Sequence, residues 1–324
     1  MYKDELQKQK EETLQKKFNE ENIPKFIQTY FVNLQSKTSC KNYWGTIRQM
    51  LIWMLDRKVI NKANISEIQP EDLLEIESED LTIYLREREK NGILPTTLNT
   101  EKNVFSSFWE FLVRTRKCPV DYNIVRSVAY KGISGGNGLF KKLPTNDQLD
   151  AIEEKFAKRK NEFLRIRNLA VFYILKWTGI RESECAGLDL GDLYLDEEIP
   201  YIMVLGKGHY REIEKQPVFL TESATQHLRE WLGYRSKMDN IVDKEALFLT
   251  RNGTRATEEN IVKLFKYNGK DVTPHMMRHW YSTYLNTTGN IAFAQQQLRH
   301  TSMNTTINNY SNGVVGMKDV LKSL

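Results

Sequence analysis

Four glycines in eight residues, Lys131-Gly-Ile-Ser-Gly-Gly-Asn-Gly138, interrupt this chain of 324 residues. No regular helix or strand survives such a run, because each glycine costs backbone entropy that nothing repays. The chain is therefore expected to fold as two pieces, and its length suits two domains. Expected segments are a charged extension over 1–20, a helical domain over 21–130, a linker over 131–142 and a second domain with a tail over 143–324. Lys141 and Lys142 follow the glycines, so the linker reads equally well as a plain hinge or as a strap across a duplex.

Before the linker, apolar residues recur at helical intervals. Tyr43, Trp44, Ile47, Met50, Leu51, Trp53, Met54 and Leu55 form one such set, behind a Thr38-Ser39 cap. Further helices are expected around Ser78–Glu89 and Thr96–Arg114, with Asn91-Gly92 breaking the chain between them. The result is a bundle of four or five helices. Residues 1–20 carry only Leu6, Leu14 and Phe18 as apolar points and read as a solvated extension or an interaction arm.

After the linker the periods mix. Thr145 caps a helix near Asp147–Lys158, and an apolar helix spans Phe163–Thr178. Leu193–Leu195, Tyr201–Leu205 and Arg211–Val218 read as short strands. Helices return at Glu222–Arg235, Glu258–Tyr267, Pro274–Leu285 and Ile291–Leu298. The fold class expected is mainly α, with a mixed α/β second domain around a small three-stranded sheet.

Several function classes drop out. No apolar run reaches the ~20 residues of a membrane span, and the N-terminus lacks the apolar core of a secretion signal, so a cytoplasmic chain is expected. Cys40, Cys118 and Cys185 have neither disulfide nor metal spacing, and no nucleotide fingerprint occurs. Neither metal nor cofactor is expected. A net charge of +5 is compatible with nucleic acid without requiring it.

What stands out is placement. Of five histidines, three fall in Thr273-Pro-His275-Met-Met-Arg278-His279 and Leu298-Arg299-His300. Pro274 suits a first helical position, which sets His275, Arg278 and His279 at i, i+3 and i+4 beside free backbone N–H groups. That face is an anion site or a solvated basic face. Upstream, Thr178-Gly-Ile-Arg181-Glu-Ser-Glu184 gives either a phosphate clamp or a helix-start arginine paired with Glu184. Tyr310 follows His300 by ten residues in a polar stretch, where an isolated tyrosine would ordinarily be surface.

Taken in order, Arg…Lys…His-x-x-Arg…His…Tyr resembles the tyrosine site-specific recombinases, the family of phage integrases and Xer proteins. Arg181 to Glu184 resembles the first arginine box, Leu205-Gly-Lys207-Gly the β-hairpin lysine, His275 to His279 the second box, and His300 with Tyr310 the last. The resemblance covers about residues 143–315 and motif matches are strong there; residues 21–130 resemble the family's SAM-like core-binding domain in layout. It implies cleavage and rejoining of duplex DNA through a 3′-phosphotyrosine on Tyr310. Arg181 and Arg278 would hold the non-bridging oxygens, His275 assist proton transfer, His300 bond the phosphate, and Lys207 protonate the leaving 5′-hydroxyl. Glu184 and His279 would support these groups. Three departures stand out: ten residues from His300 to Tyr310 where nine are usual, Arg299 where glycine is common, and a long hairpin that makes Lys215 a rival to Lys207.

Phosphate contacts are expected from Lys41, Arg48, Lys102, Lys141, Lys142 and Arg211. The resemblance further implies a two-domain clamp, a homotetramer on double-stranded DNA with an inverted-repeat site, possible accessory proteins, and a C-terminal tail docking in cis or in trans. Integration, excision or resolution, in a mobile element or a chromosome, all fit. The alternatives are a non-catalytic DNA-binding protein of the same fold and a type IB topoisomerase-like relaxase.

Overall fold

The computed structural model describes residues 2–34, 37–116, 118–131, 143–206, 215–268, 272–287 and 296–299. The chain divides into two compact units, Met1–Gly136 and Asn137–Leu324. Among the described residues no helix is long and apolar enough to cross a membrane.

The first unit holds α1 (Tyr2–Glu20), α2 (Lys25–Asn33), α3 (Lys37–Asp56), α4 (Ser78–Lys90) and α5 (Pro95–Thr115). Short 3-10 turns at Ile65–Glu67, Pro70–Glu75 and Ile124–Ser127 fill the gaps. Helix α3 buries Cys40, Trp44, Ile47, Met50, Leu51 and Met54, and α5 buries Leu98, Phe105, Phe108, Trp109 and Leu112. Both sets repeat every three or four residues, so each helix presents one apolar face to a shared core. Helix α3 starts at Lys37, so Thr38 and Ser39 lie inside its first turn and do not cap it from outside. Helix α4 is fastened to α5 by Arg88, whose Nε and Nη2 donate to Glu101 at 3.0 and 2.6 Å.

At the end of residues 1–20, expected as a solvated extension or an interaction arm, one residue is docked, while most of the described side chains before it are exposed. Phe18 is buried, 5.2 Å from the Phe31 ring and edge-on to Trp44 at 5.6 Å. One aromatic at the end of a charged helix is enough to dock it, because a ring of that size removes a large apolar area from water.

The second unit is built on α7 (Glu162–Thr178), whose buried run from Ile166 to Leu175 packs against α6 (Asn146–Ala157), α9 (Glu222–Arg235) and α11 (Pro274–Thr287). Thr145 caps α6 reciprocally: its hydroxyl accepts from the Gln148 N–H at 3.2 Å, and the Gln148 side chain accepts from the Thr145 N–H at 3.0 Å. The short α8 (Glu182–Ala186) follows α7, and α10 (Glu258–Asn268) precedes α11. Strands β1 (Leu193–Tyr194), β2 (Tyr201–Val204) and β3 (Gln216–Phe219) form an antiparallel sheet in the order β1-β2-β3, with Ile202 opposite both Leu193 and Val218. The expected third strand began at Arg211; the described strand begins at Gln216, and residues 207–214 lie outside the described part.

Between α9 and α10 the chain runs without long strands and is tied down by Arg255. This buried guanidinium pairs with Asp189 at 2.6 Å and Asp243 at 3.0 Å and donates to the Leu188 carbonyl at 3.1 Å. Those contacts clamp the segment just after α8, which matters because α8 begins at the candidate site.

Candidate active site

Helix α7 ends at Thr178, and Gly179 turns the chain with φ +61. Only glycine suits this turn. A Cβ here would lie 2.8 Å from Tyr281 Cδ1 and 2.9 Å from Leu298 Cδ2, on top of the disfavoured left-handed backbone. The turn delivers Arg181 to the N-cap of α8. Its N–H donates to Glu184 Oε2 and its Nη1 to Glu184 Oε1, each at 2.8 Å. The open choice between clamp and helix-start pair thus has a definite geometry. Arg181 is paired to Glu184, yet its side chain stays one-third exposed while that of Glu184 is 2% exposed.

Helix α11 starts at Pro274 behind Thr273, whose hydroxyl accepts from the Met276 N–H at 3.2 Å. Arg278 is carried inward from it and is 5% exposed. Its Nη1 donates to the Gly179 carbonyl and its Nη2 to the Leu298 carbonyl at 2.6 Å. Arg278 therefore joins the first arginine turn to the segment that precedes His300 in sequence. Arg299 completes the cluster by donating through Nη2 to Glu184 Oε2.

Three guanidiniums thus surround one buried carboxylate. For Glu184, burial pushes the pKa up, but Arg299, the Arg181 N–H and the charges of Arg181 and Arg278 outweigh it and hold it below the usual carboxylate range. Burial, with Arg181 and Arg299 nearby, draws Arg278 down to about 9, which leaves it a cation at neutral pH. Arg299 is lowered as well, first by burial, with Glu184 opposing. Such a cluster carries surplus positive charge, the condition for receiving an anion.

The histidines behave differently. His275 is exposed and His279 half-buried, with their Nε2 atoms 2.9 Å apart. That bond needs one ring to donate and the other to accept. The expected common face of α11 is therefore divided, with Arg278 inward and His275 outward. Lys207, His300 and Tyr310, all expected in the site, lie outside the described residues. Lys215, the rival lysine, is ion-paired with Asp192.

Of the expected DNA contacts, Lys41 is exposed on α3, and Arg48 donates to Glu21 at 3.1 Å. Lys102 donates to the carbonyls of Val128 and Tyr130 at 2.9 and 3.1 Å, so the described fold uses its ammonium as an internal staple. Lys141, Lys142 and Arg211 lie outside the described residues. The sequence marks Arg299 as a departure that would alter the turn or add a phosphate contact, without placing it among the site residues; its positive φ of +52 marks the place where a glycine is more usual. Among the described residues no group of three or more His, Cys, Asp or Glu is placed to hold a metal.

Fold and arginine cluster together define a catalytic domain of the tyrosine recombinase class. The model of the phage integrase family matches residues 144–314, more than half of the chain. The chain belongs to the phage integrase family. It is 28% identical over 275 residues to the tyrosine recombinase XerC of Shewanella sp. strain ANA-3, covering 82% of this chain and 87% of that one. Over 150 residues it is 35% identical to XerC of Neisseria gonorrhoeae, covering 44% of this chain and 46% of the relative. Among solved structures it shares its fold with the XerH site-specific recombinase bound to difH substrate (TM-score 0.61, 20% identity, 85% of this chain and 77% of that one). It also shares it with a lambda integrase dimer bound to a core site (TM-score 0.60, 13% identity, 89% and 94%).

Proposed function

We propose that this protein is a site-specific DNA recombinase of the Xer type, cleaving and rejoining duplex DNA through Tyr310. The observation that carries the reading is the buried Glu184 holding Arg181 beside Arg278, within the span that matches the family. Attack by the Tyr310 oxygen on phosphorus breaks the bond to the 5′-oxygen and leaves a 3′-phosphotyrosine. Negative charge gathers on the non-bridging oxygens, and Arg181 and Arg278 stabilise it there more than in the ground state. Arginine suits the task because its planar fork grips two oxygens and keeps its charge. Lys207 protonates the departing 5′-oxygen, which leaves as a hydroxyl, His275 assists transfer of the proton that the Tyr310 phenol gives up, and His300 bonds the phosphate. The phosphotyrosine conserves the bond, so a 5′-hydroxyl from a partner strand reverses the step and rejoins the DNA.

In this reading residues 21–130 grip DNA as the core-binding domain, 131–142 link, and 143–324 carry the chemistry. Four copies act on two sites, with accessory proteins possible. The XerC name of the relatives favours an Xer-type role.

The test takes from the DNA flanking the gene any inverted repeats of ~11 base pairs around a short spacer and places two copies of that site on a plasmid. The purified protein is expected to exchange strands between the two copies and to leave plasmids without them intact. Relaxation of a plasmid lacking any such site would instead mark a topoisomerase-like relaxase. Binding without strand exchange or cleavage would mark a non-catalytic DNA-binding protein.

A further inference from the structure

Arg299 adopts φ +52, a left-handed backbone that disfavours any residue with a Cβ. Such a conformation persists only where its surroundings over-determine it. Here they do. The Gln297 side chain donates to the Phe219 carbonyl at 2.7 Å and accepts from the Phe219 N–H at 3.1 Å, pinning the turn to the end of β3. The Leu298 carbonyl is held by Arg278. The Arg299 side chain, 3% exposed, then ends on Glu184, 115 positions away in sequence.

The two oxygens of Glu184 have different partners. Oε1 takes the Arg181 guanidinium, whereas Oε2 takes Arg299 and the Arg181 backbone N–H. When Arg181 swings its guanidinium from Oε1 to a phosphodiester, the carboxylate would be left buried and under-compensated unless another cation stayed. We propose that Arg299 is that cation: a positioning residue that holds Glu184 through Oε2, so that Arg181 can turn to the scissile phosphate. The inference rests on the strand-transfer reading above. It also explains why this chain keeps an arginine at a position whose backbone suits glycine. The strain is the cost of a permanent partner for Glu184.

Two substitutions separate charge from backbone. Arg299→Gly removes the cation and relieves the left-handed strain; Arg299→Lys keeps the charge and the strain. Single-turnover cleavage of a nicked duplex carrying the inverted repeats is the readout, with the dissociation constant for the same duplex measured beside it. Cleavage by Arg299→Gly is expected to fall about tenfold, since a small misplacement near reacting groups is costly. Affinity should stay within about twofold, and Arg299→Lys should recover most of the rate. In a Glu184→Gln background, Arg299→Gly should add nothing further. Wild-type cleavage by Arg299→Gly would overturn the proposal. So would lysine failing to rescue, affinity falling in parallel with rate, or a full additional loss in the Glu184→Gln background. Failure of the unmodified protein to cut the duplex would overturn the strand-transfer reading itself.

Discussion

Arg181→Ala is expected to lower single-turnover cleavage of a duplex carrying the inverted repeats by about 10²–10³-fold, the usual loss when one preorganised donor to a developing oxyanion is removed. Affinity for the duplex should hardly change. Arg181 is a single cation among the many phosphate contacts that set affinity, and its electrostatic grip strengthens as charge develops on phosphorus. Arg181→Lys should recover little, because a compact ammonium cannot reproduce a planar fork. The fold should tolerate both changes, since the Arg181 side chain is one-third exposed and its N–H to Glu184 bond survives substitution. The contrast with Arg278 is informative. Removing Arg278 would also strand the Gly179 and Leu298 carbonyls it serves, at roughly 1–3 kcal/mol for each buried unsatisfied group, so that variant loses stability as well as rate. An Arg181→Ala protein cutting within about threefold of the unmodified rate would remove Arg181 from the transition state.

The second large effect concerns stability. Glu184→Gln removes the carboxylate bonded to the buried Arg299 and a negative charge near the buried Arg278, so both cations lose compensation. Breaking a buried pair from one side typically costs about 3–5 kcal/mol. Urea denaturation of the whole chain at pH 7 should show the second unit unfolding at clearly lower denaturant. The acid side adds a signature. Glu184 has a folded-state pKa below its unfolded value, near ~4.3, so its stabilisation is complete above that value. It is lost as pH falls from there through the lower folded-state pKa. The unmodified protein should therefore weaken over that window, and Glu184→Gln should have lost the corresponding slope. Equal urea midpoints at pH 7, or identical acid slopes, would contradict the buried cluster.

How far these features were legible in the sequence differs from residue to residue. Helix α9 occupies the expected Glu222–Arg235 because its signals are local: Thr221 caps it and the apolar spacing stays in one period. The same holds for Thr145 and Thr273. Within residues 1–20 the docking of Phe18 is not legible, because it rests on contact with Phe31 and Trp44, and periodicity within a helix cannot reveal partners on other helices. Likewise, the sequence offers Lys102 as a phosphate contact and holds no sign of its bonds to the Val128 and Tyr130 carbonyls, which the fold brings to it.

The candidate site divides along the same line. Arg181, Glu184 and Arg278 stand out because their motifs are short and their spacing is helical. The sequence could place Arg181 beside Glu184 at i+3, but it could not show that Glu184 serves three arginines. Arg299 reaches it only through a turn fixed by Gln297, Leu298 and the end of β3. Arg255, which braces the segment after α8 through Asp189 and Asp243, left no local signal at all.

The central claim is that Tyr310 becomes covalently joined to DNA. A nicked duplex with the inverted repeats, labelled on the strand upstream of the cut, should trap the protein as an adduct stable to denaturant. Proteolysis and mass mapping of that adduct should place the nucleotide on the peptide containing Tyr310, linked through a 3′-phosphate, and Tyr310→Phe should give none. An adduct on a different tyrosine, a 5′-phosphate linkage, or undiminished adduct from Tyr310→Phe would contradict the account.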